Sequence, residues 1–243
     1  MSAVQHQTQS AHVGVIVPAV NRTCEQQFHQ YAPPALGVHM MRARIAGQWA
    51  RPINELECEI TLATQVLAEC QPDLMVYNCT ASSMKEGPEG EKRILGLMEK
   101  AAGIPSISTS QAVGEAFKHF GIKSVVVVTP YQNNEEILFY LGKIGIKVAR
   151  DVALKLPAQK FGSVTPQEWH DIAVANDSKD ADAIFLSCAA TTQIDAVAPV
   201  EATLGKPVVN SNQAVLWAAL MRLKGKLGPM TPPPVGSLMK TLA

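Results

Sequence analysis

The sequence predicts an α/β fold made of two similar parallel-sheet domains, related by a pseudo-twofold axis, with the active site in the cleft between them. Three observations support this prediction. Strand-like and helix-like segments alternate along the chain, several landmarks occur twice in the same order, and 243 residues suffice for two domains of about 100–120 residues. Alternating strands and helices are typical of parallel sheets whose strands are joined by crossover helices.

The most informative landmark is a pair of matching segments that end in cysteine. Asp73 to Cys79 and Asp182 to Cys188 each run from an aspartate, through a mainly apolar stretch, to a cysteine six positions later. Ligands of open parallel sheets bind beyond the carboxyl ends of the strands. We therefore expect two thiols to face one small ligand from opposite sides, which is an acid/base arrangement that needs no cofactor.

Two further landmarks extend the repeat beyond the cysteines. The apolar run Val13–Pro18 matches Val125–Pro130, and Gly103–Val113 matches Gly205–Val215. Because three landmarks recur in one order, duplication of an α/β unit is the economical explanation.

The first copy is predicted to contain four strands and four helices. Short apolar runs bounded by Pro, Gly or polar residues indicate strands, whereas apolar residues at three- and four-residue steps, as in Ile53, Leu56 and Ile60, indicate helices. In chain order the elements are strand Val13–Val17, helix 21–32, strand Val38–Ile45, helix Ile53–Cys70, strand Leu74–Tyr77, helix Gly90–Ala102, strand Ser106–Ser108 and helix Gln111–His119.

The second copy is predicted to repeat this pattern. Its elements are strand 124–128, helix 133–143, strand 146–150, helix 166–176, strand 183–187, helix 193–204, strand 207–209 and helix 213–223. We place the first domain at residues 1–112 and the second at 113–210, with 211–243 packing back onto the first. Asn210 is expected to cap the last helix. The proline-rich stretch 229–236 cannot continue that helix, so we expect it to cover the surface.

Composition excludes several classes of function. The chain has 21 basic and 21 acidic residues and no long block of either sign, which argues against a nucleic-acid partner. Its apolar runs are too short for a membrane span. The polar start, Met1 to Ala11, lacks the apolar core of a secretory signal, so we expect a cytoplasmic protein.

Five cysteines are present, and their spacing suggests free thiols. An odd number without a CxxC pair or a Cys/His cluster argues against a disulfide framework and against a structural metal. Free cysteines often pack as small hydrophobic residues. That is the expectation for Cys24, Cys58 and Cys70, whereas the repeated pair Cys79 and Cys188 are the candidate catalytic residues.

Small residues follow both repeated cysteines. Thr80 to Ser83 and Ala189 to Thr192 allow backbone N–H groups to approach a bound anion. A carboxylate held there would have a more acidic α-carbon, or a more electrophilic alkene, because the amides stabilise the developing enolate-like charge. The same turns could instead only cap helices.

These motifs together resemble the aspartate/glutamate racemase superfamily. The resemblance spans residues 12–224 and is carried by Pro18 to Glu25 after the first strand, Asn78 to Thr80 after the third, Thr129 to Tyr131 after the first strand of the second half, and Leu186 to Cys188. It implies the duplicated fold, a homodimer or larger homo-oligomer, a small carboxylic-acid substrate, and no cofactor or metal.

Within the superfamily, the chain looks most similar to maleate cis-trans isomerases and also resembles arylmalonate decarboxylases. Racemases carry an acidic residue after the first strand, where this chain has Pro18-Ala19. Decarboxylases have glycine in place of Cys79. The isomerases share both cysteines, the pattern Pro-x-x-Asn-x-Thr-x-Glu and a string matched by His39 to Arg44.

The resemblance implies roles for individual residues. Cys79 would add as a thiolate to the double bond of maleate, and Cys188 would give and retrieve the proton. The predicted substrate-binding residues are Asn21, Thr80, Ala81, Tyr131 and Ala189. Segment 155–165 departs from the isomerases, which supply a further asparagine to the substrate there.

Three functions remain open at this point. The favoured one is a cis-trans isomerase of a small diacid. The others are a racemase or decarboxylase of a 2-substituted carboxylic acid and a diacid-binding protein without catalysis. Arg42 and Arg44 could attract a dianion, but an exposed ion pair or an oligomer contact is the expected role for both.

Overall fold

The computed structural model describes residues 9–243, so most of the polar start discussed above lies outside the described residues. The elements are β1 (Ala11–Pro18), α1 (Cys24–Tyr31), β2 (Leu36–Ala43), α2 (Ile53–Ala68), β3 (Leu74–Tyr77), α3 (Thr80–Met84), α4 (Gly87–Ala102), β4 (Ser106–Ser108), α5 (Thr109–Phe120), β5 (Ser124–Thr129), α6 (Glu135–Lys143), β6 (Lys147–Ala153), α7 (Pro166–Ala175), β7 (Ala183–Leu186), α8 (Val197–Leu204), β8 (Val208–Asn210), α9 (Ser211–Leu227) and α10 (Ser237–Lys240). Three short 3₁₀ turns cover Gly47–Trp49, Ala158–Ser163 and Gln193–Ala196.

The strands form two four-stranded parallel sheets with the same topology. Their orders are β2-β1-β3-β4 and β6-β5-β7-β8, and each neighbouring pair is parallel. The registers also correspond, since Val13 lies opposite Leu74 in the first sheet and Val125 lies opposite Ala183 in the second. The predicted fold class is therefore confirmed.

Alternate residues of the central strands enter different hydrophobic cores, as strand geometry requires. Val13 and Val15 of β1 join the large core that the two halves share, whereas Ile16 packs outward against α2 and α4. The second sheet has its own outer core beneath α7 and α8. Within the shared core, the ring of Phe117 meets the ring of Phe185 edge-on at 5.4 Å, so the two halves pack directly against each other.

Helix α9 contacts α1 and β1 of the first half, β8 of the second, and α5, which crosses the predicted boundary at 112. Lys226 pairs with Asp73 of the first half, whereas Arg222 pairs at 2.6 Å with Glu115, which lies beyond that boundary. The return of residues 211–243 to the first domain and the boundaries at 112 and 210 stay predictions.

Several predicted boundaries differ from the structure by a few residues, and the turns Gly47–Trp49 and Ala158–Ser163 were not predicted. Helix α3 and the buried terminal turn α10 were not predicted, because five and four residues are too few to show a helical period. Leu238, Met239 and Leu242 are buried, so the chain beyond residue 236 does more than cover the surface. The predicted helix 193–204 is a 3₁₀ turn followed by α8, because the ring of Pro199 would clash with the carbonyl of residue 195 in a continuous α-helix.

No helix among residues 9–243 combines the length and apolar character needed to cross a membrane.

Asn210 should contribute to stability through its cap. Its side chain accepts bonds from the N–H groups of Asn212 and Gln213 and donates to the carbonyl of Leu186 at 2.9 Å, and Gln213 completes a capping box. Asn210→Ala should lower the free energy of unfolding by about 1–2 kcal/mol, measured by urea denaturation. Asn54→Ala, at an exposed position of α2, is the matched control and should change it by less than about 0.5 kcal/mol. Equal effects of the two variants would contradict this role.

Candidate active site

Cys79 and Cys188 occupy equivalent places at the carboxyl ends of β3 and β7. Cys79 is the residue before the first turn of α3, and Cys188 precedes a non-helical turn. Both side chains are almost fully buried, with 4% and 3% of their surfaces exposed. Nevertheless, both line a single cavity of about 1140 Å³ between the two halves of the chain.

All seven residues predicted for the site line this cavity: Asn21, Cys79, Thr80, Ala81, Tyr131, Cys188 and Ala189. Arg42 and part of the segment 155–165, both noted in the sequence, also line the cavity, but neither was predicted as part of the site. The lining further includes Arg22 beside Asn21 and the segment from Leu156 to Ser163, which bears Phe161.

The cavity has a positive lining although the chain has no net charge. Arg22 and Arg42 are among its lining residues, and the lining contains no aspartate or glutamate. Arg42 also pairs with Glu25 at 2.8 Å and donates to the carbonyl of Asn21. Cationic walls without carboxylates favour an anionic ligand.

Asn21 connects the first-half wall of the cavity to the turn that follows Cys188. Its Oδ1 accepts the N–H groups of Thr23 and Cys24, each at 3.0 Å, while its Nδ2 donates to the carbonyl of Ala189 at 2.8 Å. One amide hydrogen of Asn21 thus bonds to Ala189 in the second half of the chain, and the other is available to a ligand.

A second set of buried amides lies beneath the thiols. Asn78 donates to Asn212 at 3.0 Å, and Asn212 donates to the carbonyl of Ala189 at 3.0 Å and to Gln27 at 2.6 Å. The hydroxyl of Thr80 donates to that of Ser211 at 2.9 Å. Sequence patterns did not reveal this network, because its members come from four separate segments.

Burial keeps both candidate thiols neutral. It raises the pKa of Cys79 to about 12, and the nearby Cys188 adds to the increase while the N–H of Ser82 opposes it. Burial also raises the pKa of Cys188 to about 11, and hydrogen bonds from Tyr131 and the N–H of Ala190 oppose that increase. Since each negative charge would disfavour the other, the pair supports one thiolate and one thiol at a time.

The hydroxyl of Tyr131 lies near both candidate thiols and interacts more strongly with Cys188 than with Cys79. Burial and the neighbouring thiols raise the pKa of Tyr131 well above its usual range. The phenol therefore stays protonated and can donate to a Cys188 thiolate.

The other cysteines and arginines differ in location. Cys24 is buried and accepts from Asn78 at 2.9 Å, as expected for a packed thiol. Cys58 and Cys70 are exposed, so the expectation that they pack in the core is wrong: they lie on the outward side of α2 and just beyond its end. Arg44 stacks over the ring of Trp49 at 4.8 Å and does not line the cavity.

No cluster of three or more metal-ligating side chains occurs within residues 9–243.

Comparison with known sequences identifies the family. The sequence model of the arylmalonate decarboxylase family matches residues 36–231. The chain belongs to the arylmalonate decarboxylase family. The predicted similarity to this family and to maleate isomerases is confirmed by individual relatives. The maleate isomerase of Pseudomonas putida is 27% identical over 241 residues, covering 93% of this chain and 96% of the relative. The arylmalonate decarboxylase of Bordetella bronchiseptica is 29% identical over 151 residues, covering 60% and 62%.

Solved structures share the fold. A cysteine-to-serine variant of the Nocardia farcinica maleate cis-trans isomerase, crystallised with a covalently bound succinylcysteine intermediate, superposes with a TM-score of 0.83 at 19% identity, covering 95% of this chain and 98% of that one. Because the identity is only 19%, this similarity shows that the chain has the same fold as that isomerase and no more.

The raised pKa values predict how the thiols respond to pH. Iodoacetamide should label Cys79 and Cys188 slowly near neutral pH, and both rates should rise about tenfold per pH unit up to about pH 10, because the thiolate fraction still grows there. Peptide-resolved mass spectrometry measures each cysteine separately. The exposed Cys58 and Cys70 serve as internal comparators and should react faster at neutral pH. A plateau of Cys79 labelling below about pH 9 would contradict the raised pKa.

Tyr131→Phe should affect one cysteine selectively. Without the phenol hydroxyl, the Cys188 thiolate loses a charge-assisted hydrogen bond, so its labelling rate at a fixed pH should fall about tenfold. The labelling rate of Cys79 in the same protein is the control. An equal loss at both cysteines would indicate a general change of the cavity instead.

Proposed function

We propose that this protein is a cofactor-independent cis-trans isomerase of the maleate type, acting on a small dicarboxylic acid. The observation that carries the proposal is the arrangement of the two thiols. Cys79 and Cys188 open from equivalent strand ends into one cavity whose lining has arginines and no carboxylates. A dianion fits that charge, and two opposed thiols can act on neighbouring carbons of one ligand.

The reaction begins with the thiolate of Cys79, which forms when the thiol loses its proton to solvent water and which each elimination step regenerates. Its sulfur forms a bond to one alkene carbon, and the π electrons move toward the carboxylate on the other carbon. Cys188 gives its proton to that second carbon, which leaves a succinyl thioether with a single bond in place of the alkene. Rotation about this bond exchanges the cis and trans arrangements. The Cys188 thiolate then retrieves the proton, and the sulfur–carbon bond breaks to release the trans diacid.

The surroundings of each sulfur match its proposed role. Tyr131 and the N–H of Ala190 donate to Cys188, so they stabilise the thiolate that Cys188 becomes after giving its proton. The first turn of α3 presents the N–H groups of Thr80 and Ala81, which no preceding helical carbonyl accepts. These groups and the free amide hydrogen of Asn21 are proposed to bind the carboxylates.

Relatives support the proposal by analogy. The Pseudomonas putida relative is a maleate isomerase, and the Nocardia farcinica enzyme forms a succinylcysteine, which is the kind of adduct proposed for Cys79. A cytoplasmic location and a homo-oligomeric state remain predictions from the sequence.

The second candidate is a decarboxylase or racemase of a 2-substituted carboxylic acid. Cys188 alone has a hydroxyl donor, an N–H donor and access to the cavity, which suffice for protonating a planar carbanion. The matching family model and the Bordetella bronchiseptica relative favour this alternative. In a decarboxylase the second thiol, Cys79, would have no required part, whereas a racemase would use both thiols on opposite faces of its substrate.

The alanine variants of the two cysteines should lose isomerase activity at different steps. With maleate followed by NMR, Cys79→Ala and Cys188→Ala should each lower kcat/KM at least 100-fold, a loss on the order expected for a missing nucleophile or general acid. Cys188→Ala should also accumulate a succinyl adduct on Cys79, seen by peptide mass spectrometry, because water can protonate the adduct slowly while no thiolate remains to take that proton back. Cys58→Ala is the control and should retain full activity. An adduct on Cys188 in the Cys79→Ala protein would reverse the roles, and full activity of both variants would refute the mechanism.

Exchange of α-protons separates the two candidate functions. If the protein is an isomerase, Cys79→Ala should not release carbon dioxide from a 2-substituted malonate or exchange the α-proton of a 2-substituted carboxylic acid in deuterated water. A decarboxylase or racemase that uses Cys188 would retain one of these activities in Cys79→Ala, and NMR detects both.

A further inference from the structure

The cavity is larger than an unsubstituted four-carbon diacid requires. Its volume is about 1140 Å³, whereas cavities of about 300–1,000 Å³ usually hold ligands of drug size. Two carboxylates and two alkene carbons leave most of this space unfilled. The character of the remaining wall therefore indicates what else the substrate carries.

One side of the cavity is apolar and is built by the segment 156–163. Leu156, Pro157, Ala158 and Phe161 line this side. The ring of Phe161 meets the ring of Tyr131 edge-on at 5.5 Å. Gln159 and Ser163 of the same segment also line the cavity, so the apolar surface is the part formed by Leu156, Pro157, Ala158 and Phe161, and an apolar substrate group would lie there.

The apolar wall is fixed in place at both ends. At its start, the N–H of Leu156 donates to the carbonyl of Pro130 at 2.9 Å, and the side chain of Gln132 donates to the carbonyl of Leu156 at 2.8 Å. Just beyond its end, the hydroxyl of Thr192 donates to the carbonyl of Val164 at 2.5 Å. Hydrogen bonds thus hold the wall in position at both ends of the segment.

This wall lies on the side of Cys188. Phe161 contacts Tyr131, and Tyr131 in turn reaches the Cys188 sulfur. Next to Phe161, a methyl group added at Gly162 would come within 3.2 Å of Thr23 Cγ2 and 4.0 Å of the carbonyl of Ala190, in the turn after Cys188. The wall is therefore connected through Tyr131 and the turn after Cys188 to the Cys188 side of the cavity.

We propose that the substrate is a 2-substituted cis-butenedioate, whose apolar substituent sits on the carbon that exchanges a proton with Cys188, and that Phe161 determines this specificity. The inference rests on the proposed isomerase function and names its substrate class. The substituent lies against Phe161 and Leu156, while the two carboxylates lie toward the amide donors of the cavity.

The chemistry of the addition step agrees with this orientation. The sulfur of Cys79 forms its bond to the unsubstituted alkene carbon, the π electrons move onto the substituted carbon and its carboxylate, and the proton from Cys188 goes to the substituted carbon. All three movements reverse on elimination. The opposite orientation would require a sulfur bond to a fully substituted carbon, which is sterically disfavoured.

The test compares maleate with 2-methyl-, 2-ethyl- and 2-propylmaleate, each followed by NMR. We expect kcat/KM to rise about fourfold for each added methylene, the effect of moving one methylene from water to an apolar wall. Phe161→Ala should reduce the ratio of kcat/KM for 2-propylmaleate to that for maleate, and Phe161→Leu should restore most of it. Phe139→Ala removes an equally large ring that is exposed on α6 and outside the cavity, so it should leave the ratio unchanged.

Each possible result supports or overturns the proposed substrate class. Conversion of maleate with slower conversion of all the substituted acids would overturn the inference and leave the proposed function intact. A ratio that Phe161→Ala does not change would also overturn it. In the Cys188→Ala protein, the adduct of 2-methylmaleate should join Cys79 to the carbon without the methyl group, as read from fragmentation of the labelled peptide. A thioether on the methyl-bearing carbon would overturn the orientation, and conversion of none of the acids would refute the proposed function and the inference together.

Discussion

The site depends on one buried acceptor, the backbone carbonyl of Ala189. Asn21 donates to it at 2.8 Å from the first half of the chain, and Asn212 donates at 3.0 Å from the start of α9. Breaking either hydrogen bond to this buried carbonyl costs free energy, because it leaves a buried polar group unsatisfied. Since Ala189 follows Cys188 and Asn212 also bonds to Asn78, which precedes Cys79, the same contacts fix both sulfurs relative to each other.

Burial has two consequences for chemistry in this cavity. It disfavours charge on each thiol, which is why the pKa values of Cys79 and Cys188 are raised. It also strengthens every hydrogen bond and charge interaction that acts on a bound anion, because little water competes. A dianion that enters this cavity thus meets neutral thiols, so charge repulsion from sulfur does not oppose its binding. Ionisation of one sulfur then becomes part of the reaction and is not a property of the empty site.

The sequence predicted the fold and the central part of the site because both depend on local patterns or on the repeat. Strands Leu74–Tyr77 and Ser106–Ser108 were predicted with their observed bounds, and the seven predicted site residues line one cavity. The network through Asn212 could not be predicted, since its partners are distant along the chain and show no period. Phe161 was missed for a different reason: it lies in the 3₁₀ turn Ala158–Ser163, whose counterpart in the first half, Gly47–Trp49, is shorter and has a different sequence, so the repeat gives no guidance there.

The departures from the repeat are what distinguish the two thiols. Duplication alone would give Cys79 and Cys188 equal surroundings and equal roles. However, Tyr131 follows Pro130, whereas Ala19 follows the matching Pro18, so only the second half supplies a phenol beside its cysteine. This phenol lowers the pKa of Cys188 against the increase that burial causes, and Cys79 has no such side-chain donor. A sulfur that must alternate between thiol and thiolate in each turnover benefits from a fixed donor. Cys79, whose negative charge is used to form a covalent bond, does not need such a donor. The two halves therefore differ at Tyr131, where the proposed roles of the two thiols also differ.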